Sequence, residues 1–352
     1  MARGNPIMMI ICPLAGWFCG VNAFHDGCHF ALSTNPFINS FVGGLFPFFS
    51  SPFAWYHQHI IGHHVHCNME YHDPDLFHGV DIHREHKAHP FRAIYARQAK
   101  VLSIVFHFVV GSWLGLGLGS NINLIFSKSQ TYNGVIPRIP VSTFTLTLHA
   151  LSRLMFFIVQ FGWPFFTLGP ETGFFTKLAY AIVPSMVFSV CFMLNTQINH
   201  LTPSAMKEKS LDWTVHQVIT AQNFGDPKKG GAAWWFHYLF SGGLNLQMEH
   251  HLFPTVNHCH LMVVSEIVER TCAEYGVRYT RVSGYLEGMT EYIKHTTMMS
   301  IDADAVETVS KPKPETEVGI SKIIRETVKE VAKVDSVPVV VPVPQILKLK
   351  EE

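Results

Sequence analysis

Apolar runs alternate along this chain with polar, histidine-rich stretches. Ile7–Phe24 is mostly apolar and about 18 residues long, near the minimum that spans a bilayer. Phe37–Phe53 is apolar but short. Gly43, Gly44, Pro47 and Pro52 break it, so it reads as re-entrant or interfacial. Val101–Leu118 is apolar and glycine-rich. Leu148–Leu168 and Leu178–Leu194 are two further spans, joined by the short polar turn Gly169–Thr176. Between these runs lie the polar segments His57–Arg97, Asn121–Val141 and His200–Gly231. Trp234–Phe253 follows, then an amphipathic segment to about Met299. The pattern predicts an all-α fold, a multi-span transmembrane helical bundle. Its spans are expected at about 7–24, 148–168 and 178–194, with interfacial segments at about 37–53 and 101–118. From Ile301 the sequence is charged, rich in Pro and Val and free of aromatics. Residues 301–352 therefore read as a disordered tail behind a membrane domain of residues 1–300.

Composition agrees. Of 352 residues 48% are hydrophobic and only 15% charged, where soluble domains run about 25% charged. Mean hydropathy is +0.18. The formal net charge of zero gives no basis for nucleic-acid binding. The seven cysteines are scattered with no CxxC pair, so no disulfide framework is expected. The apolar stretch after Arg3 runs directly into a histidine cluster, which is not how a cleaved secretory signal ends.

Histidine changes the picture most. There are 22, and ten lie between His57 and His89. Three short clusters stand out at the ends of apolar runs. They are His25-Asp26-Gly27-Cys28-His29, His59-Ile60-Ile61-Gly62-His63-His64 and Gln247-Met248-Glu249-His250-His251. His25 and His29 share a helix face at i,i+4. His59 and His63 repeat that spacing, and His64 adds a neighbour that lets the group serve two metals. Imidazole suits iron, copper, nickel and zinc. The clusters hold no thiolate besides Cys28, which argues against iron–sulfur and structural zinc sites. Eight or more nitrogens exceed one zinc and fit two redox metals, a histidine-rich di-metal cap on one face of the bundle.

If the clusters share one site, an even number of crossings separates the second from the third. Three apolar runs lie between them, so Val101–Leu118, the weakest, is placed at the interface. Arg84, Lys87, Arg92, Arg97, Lys100, Lys207, Lys209, Lys228 and Lys229 flank the clusters and mark that face as cytosolic. His200, preceded by Gln197 and Asn199 at the cytosolic end of the last span, joins the candidate ligands. The same count starts Met1 on the opposite face and leads to the expectation of a missing N-terminal span. Asp26, Asn68, Asp73, Asn199 and Glu249 are candidates to hold imidazoles from behind, and Asp75 could act with Asp73 or simply turn the chain around Pro74. His57, His66, His72, His78, His83, His86 and His89 are too many for one site and read as surface or hydrogen-bonding residues. His216 and His237 read likewise, and Trp234 and Trp235 as an interfacial aromatic belt.

HDxxH, HxxxHH and QxxHH, in that order, resemble the three histidine boxes of membrane fatty acid desaturases. Gln247, which opens the third box, and the passage Gly242–Pro254 (GGLNLQMEHHLFP) resemble the front-end subgroup. Gln58–Asn68 (QHIIGHHVHCN) with Asp73-Pro74-Asp75 resembles the second box of fungal and algal members. The resemblance covers roughly residues 5–295. It implies insertion of a cis double bond into a polyunsaturated acyl chain, between an existing double bond and the carboxyl end. It also implies two non-haem iron ions, O2, and electrons from cytochrome b5 and its reductase. The ligands it implies are His25, His29, His59, His63, His64, His200, His250 and His251, with Gln247 in the place of a histidine found in other desaturases. The substrate would be an acyl-CoA or acyl-lipid, the membrane the endoplasmic reticulum, and the regiochemistry Δ5 or Δ4 over Δ6 or Δ8. Phe37–Phe53 and Leu148–Leu194 are expected to line the acyl tunnel. Front-end members usually carry an N-terminal cytochrome b5 domain with a His-Pro-Gly-Gly motif, which this sequence lacks, and the chain is accordingly expected to be N-terminally truncated. The alternatives are a hydroxylase or ketolase of the same superfamily, and a haem-carrying membrane electron-transfer protein. A metal transporter would place its histidines inside the spans.

Overall fold

A computed structural model describes residues 4–45, 51–69, 71–76, 84, 90–113, 122, 124, 130–132 and 136–301. Three of its helices are long and apolar enough to cross a membrane: α1 (Met8–Cys28), α5 (Thr143–Thr167) and α6 (Phe174–His200). At 1.5 Å per residue the 25 residues of α5 reach about 37 Å, beyond a hydrocarbon layer of about 30 Å. The intervening helix α4 is described over Val101–Ser112, 12 residues or about 18 Å.

Each crossing-length helix outruns its apolar sequence run. α1 continues through a π-helical turn at Gly20–Phe24 to carry His25. α6 continues past Leu194 through Asn195, Gln197 and Asn199 to His200, all buried. Backbone hydrogen bonding extends into the protein interior, where polar side chains find partners, so hydropathy underestimates the helix. The other α-helices described before α4 are α2 (Pro36–Leu45) and α3. The latter begins at Pro52–Trp55, turns π-helical over Tyr56–His63 and ends at His64–His66. Ser51 caps α3, its Oγ accepting the Ala54 N–H at 3.0 Å. Residues 46–50 and 114–118, parts of the two expected interfacial segments, lie outside the described residues, as does the expected tail from 302 onward.

The other helices are α7 (Trp213–Ile219), α8 (Gly231–Ser241), α9 (Gln247–Leu252), α10 (Leu261–Tyr275) and α11 (Tyr285–Met299). The described strands are two-residue pairs. Thr131–Tyr132 runs antiparallel to Ile136–Pro137, and Asn223–Phe224 parallel to Arg281–Val282. The architecture is thus all-α, as the pattern predicts.

α6 is the hub. It packs on α1, α4 and α11. Ser189 Oγ donates to the Phe108 carbonyl at 2.8 Å, and Tyr285 donates to Asn195 Oδ1 at 2.6 Å. Trp17 on α1 reaches α8, its Nε1–H donating to the Phe240 carbonyl at 2.7 Å. α8 ends at Gly242 with φ +60°, where a Cβ would approach Val21 Cγ2 to 2.8 Å. Glycine is needed there both for the left-handed turn and for the closeness of α1. α5 is different: Leu148, Leu151, Leu154 and Met155 face outward, and its buried side chains are Arg153 and Pro164. Of the two tryptophans expected in an aromatic belt, Trp235 is exposed and Trp234 is buried against Tyr238.

Candidate metal centre

The chain brings all eight candidate histidines and Gln247 into one buried region, from four separate stretches of sequence. They fall into two groups. In the first, ring nitrogens of His25, His29, His59 and His250 lie within 4.8 Å of one another. In the second, His63, His200 and His251 do so together with Cys67 Sγ. His64 sits between, its ring 4.6 Å from His59, 4.7 Å from His250 and 4.4 Å from His251. Gln247 joins the second group, its amide nitrogen donating to His200 Nε2 at 3.0 Å.

The second box reaches both groups because α3 is π-helical there. In an α-helix His59 and His63 would share a face. In the π-helix, with its i→i+5 pattern, His59 also meets His64, Nε2 to Nε2 at 3.2 Å, while His63 stacks on His59 at 5.4 Å and reaches the second group. Gly62 allows this turn: a Cβ there would lie 2.7 Å from the His57 carbonyl and crowd Pro74.

Several rings are anchored through their Nδ1 atoms. His63 Nδ1 donates to Asp73 at 2.9 Å, and His251 Nδ1 to Gln217 Oε1 at 2.8 Å. His200 Nδ1 donates to the Thr220 carbonyl at 3.3 Å, with Cys67 Sγ 3.5 Å away. The contacts are longer in the first group, where His25 Nδ1 is 3.4 Å from Asp26 and His59 Nδ1 3.5 Å from Asp75. Asp26 is itself held by His258 Nδ1 at 2.6 Å and Asn257 Nδ2 at 2.8 Å. Asn199 donates to Gln247 Oε1 at 3.3 Å.

Two expected supports act elsewhere. Glu249 touches no candidate ring: it accepts from Tyr279 at 2.8 Å and Asn223 at 2.7 Å, and so fixes the backbone of α9. Asn68 holds main chain, its amide donating to the His200 carbonyl at 3.1 Å and the Thr220 carbonyl at 2.9 Å. Cys67, Gln217, Thr220 and His258 escaped sequence reasoning. A lone cysteine or a glutamine in a polar stretch carries no spacing signal. His57 is structural, its Nδ1 donating to the Phe53 carbonyl and its Nε2 accepting from Ile139. His216 likewise bridges the Cys67 carbonyl and Ser210. His237 packs against Tyr285 and Phe224. His78, His83, His86 and His89 lie outside the described residues.

The inward nitrogens decide what the region can do. His25 Nε2, His29 Nε2, His64 Nδ1, His250 Nε2 and His251 Nε2 are buried without a hydrogen-bond partner. An unsatisfied buried polar group costs about 1–3 kcal/mol, so together these five cost about 5–15 kcal/mol. That equals the net stability of a typical domain. A cation bound at each group would remove the penalty. Burial holds His29, His64, His250 and His251 well below the usual imidazole range, so their lone pairs are free. Burial lowers His59 to about 3 against the pull of Asp75. Burial would also lower His63, but Asp73 and Asp75 outweigh it and push the ring up to about 9. A bound cation would take the place of that proton.

A cavity opens on the groups, with an empty volume of about 840 Å³ counting its open mouth. Trp17, Val21, Phe24, Trp55, Phe188 and Phe192 form its apolar wall, and His25, His59, His63 and His200 its floor. The wall comes from α1, α3 and α6. Of the stretches expected to line a tunnel, Phe188 and Phe192 do so, and α5 does not.

The profile of the fatty acid desaturase family matches residues 5–283. The chain is 28% identical over 321 residues to acyl-lipid (8-3)-desaturase B of Dictyostelium discoideum, covering 86% of this chain and 65% of that protein. It is 27% identical over 316 residues to Delta(5) fatty acid desaturase A of the same organism, again 86% and 65%. To sn-1 linoleoyl-lipid 6-desaturase of Synechocystis sp. it is 29% identical over 266 residues, covering 73% and 70%. The chain thus spans just under two thirds of the length of the two Dictyostelium relatives.

Proposed function

The chain belongs to the fatty acid desaturase family, and from that premise we propose that it is an oxygen-dependent front-end acyl desaturase of the membrane. The observation that carries this reading is the pair of imidazole groups at the floor of an apolar-walled cavity, with five buried ring nitrogens lacking partners. His25, His29, His59 and His250 would hold one iron. His63, His200 and His251 would hold the other, with His64 between them and Gln247 at the edge of the second group. Iron bound there would supply, from O2 and two electrons, the oxidant that removes two hydrogens from adjacent carbons to leave a cis alkene and water.

The protein's own part is positional. Trp17, Phe24, Phe188 and Phe192 exclude water and keep an alkyl chain extended beside the rings. Asp73 and Gln217 fix the tautomers of His63 and His251, so that the Nε2 lone pairs face inward. Relatives named for the 8-3, Delta(5) and sn-1 6 positions support an acyl-lipid substrate and are compatible with Δ5. The reading places the metal site on the cytosolic face of the endoplasmic reticulum, supplied with electrons by cytochrome b5.

Expression in yeast fed polyunsaturated acids of different lengths, with and without a fused cytochrome b5 domain, tests this. A new double bond on the carboxyl side of an existing one is the expected product by gas chromatography. A product that gains oxygen instead would replace this reading with a hydroxylase.

A further inference from the structure

α5 presents apolar side chains outward and turns its one arginine inward. Arg153 is 4% exposed, and all three of its guanidinium nitrogens lack a hydrogen-bond partner. Among the described residues no carboxylate pairs with it, and its recorded contact is the Phe156 ring, 4.9 Å from Cζ. Arginine within a spanning helix is rare, and it faces a partner or a functional site when it occurs. A ring face does not satisfy five N–H donors.

Position narrows the missing partner. Arg153 is ten residues from the start of α5, about 15 Å along a helix of about 37 Å. Helical side chains lean toward the N-terminus, which carries the guanidinium toward the Thr143 end and the edge of the hydrocarbon layer. Lipid headgroups carry their anionic oxygens at that edge, toward which a long arginine side chain snorkels. His149, one turn nearer that end, is half-buried and stacks on Phe53 at 5.2 Å. The guanidinium fork matches two oxygens of a phosphate or a carboxylate.

We propose that Arg153 receives the anionic headgroup oxygens of a membrane lipid, at a site on the inner face of α5 that is separate from the metal cavity. The site does not depend on the desaturase reading. Binding leaves the charge buried but paired.

Native mass spectrometry of the delipidated full chain tests this with dioleoyl phosphatidate, oleate, dioleoylglycerol and inorganic phosphate as probes. Phosphatidate or oleate should be retained at least about tenfold better than dioleoylglycerol, the scale of a charge-assisted hydrogen-bond pair. Which of the two is held more tightly identifies the group as phosphate or carboxylate. Arg153→Met should remove the preference, and Arg153→Lys should keep part of it, since a point charge replaces the fork. Thermal unfolding gives a second readout. Without anionic lipid, Arg153→Met should melt above the wild type because an uncompensated buried charge is gone, and phosphatidate should raise only the wild-type midpoint. Equal retention of phosphatidate and dioleoylglycerol by the wild type overturns the proposal. So does equal retention of phosphatidate by wild type and Arg153→Met, or capture of inorganic phosphate with no preference for either lipid.

Discussion

The two imidazole groups share the second and third boxes, the first adding His25 and His29 and the second His200, but they are held in different ways. In the second group each ring has a partner behind it: Asp73 for His63, Gln217 for His251 and the Thr220 carbonyl for His200, at 2.9, 2.8 and 3.3 Å. In the first group the nearest acids stand 3.4 and 3.5 Å from His25 and His59. There the rings are fixed by one another and by Trp55. His25 and His29 each lie 4.7 Å from His250, and Trp55 stacks on His59 at 4.4 Å. Hydrogen bonds orient one group and packing orients the other. The first should therefore tolerate loss of its acid, and the second should not.

Removing a ring is the coarsest test and the largest effect. His250→Ala and His251→Ala are neighbours in sequence but point into different groups. Each should lower bound iron from about two equivalents to about one and abolish desaturation, measured by metal analysis and product chromatography. Cobalt-loaded protein should show two distinct spectra for the two variants, because each keeps a different group. Identical spectra would mean that the two groups are one site.

Next in size is the loss of a partner behind a ring. Asp73→Asn should weaken metal binding by about 10- to 100-fold, the usual range for such partners. Asp26→Asn should weaken it by less than about tenfold, since the contact to His25 is long and Asp26 is engaged by His258 and Asn257. Competition with a chelator on the purified variants reads both values. A larger loss for Asp26→Asn than for Asp73→Asn breaks the distinction between the groups. Gln217→Ala falls between them, because Gln217 also donates to the His64 carbonyl at 2.9 Å and its loss loosens α3.

The same contrast explains what could be read from the sequence. The i,i+4 spacing of His25 and His29 survives as a shared group because α1 is α-helical at that point. The same spacing at His59 and His63 also leaves their rings stacked, at 5.4 Å, but the π-helix adds the contact of His59 with His64, and no propensity signals a π-helix of eight residues. His200 was reachable only by counting crossings, an argument about topology rather than local pattern. Gln217 meets His251 from 34 residues away and His258 meets Asp26 from 232. Such contacts exist only once the bundle has closed. The tunnel wall went astray for a related reason. Hydropathy marks both α5 and α6 as long and apolar enough to cross, but it cannot tell a helix with an outward apolar face from one that packs at the hub.

The smallest expected effect is at Glu249, and it separates two kinds of support. Glu249 sits between Met248 and His250 in the third box, is fully buried, and from sequence alone reads as a partner for an imidazole. Its oxygens instead accept from Tyr279 and Asn223, and Asn223 Oδ1 accepts the Met248 N–H at 3.0 Å. The network therefore holds the main chain of α9 rather than any ring. Burial raises the carboxyl above its ordinary range against the pull of those hydrogen bonds. A neutral side chain of the same shape is thus tolerated, with one oxygen still able to accept. Glu249→Gln should change metal affinity by less than about threefold, well below the range for a partner behind a ring. It should also lower the melting temperature by a few degrees, the effect of losing about one hydrogen bond. A loss of metal affinity as large as that of Asp73→Asn would mean that the backbone of α9 positions His250 and His251 as strictly as a hydrogen bond does. The contrast between the two groups would then reduce to one mode of support.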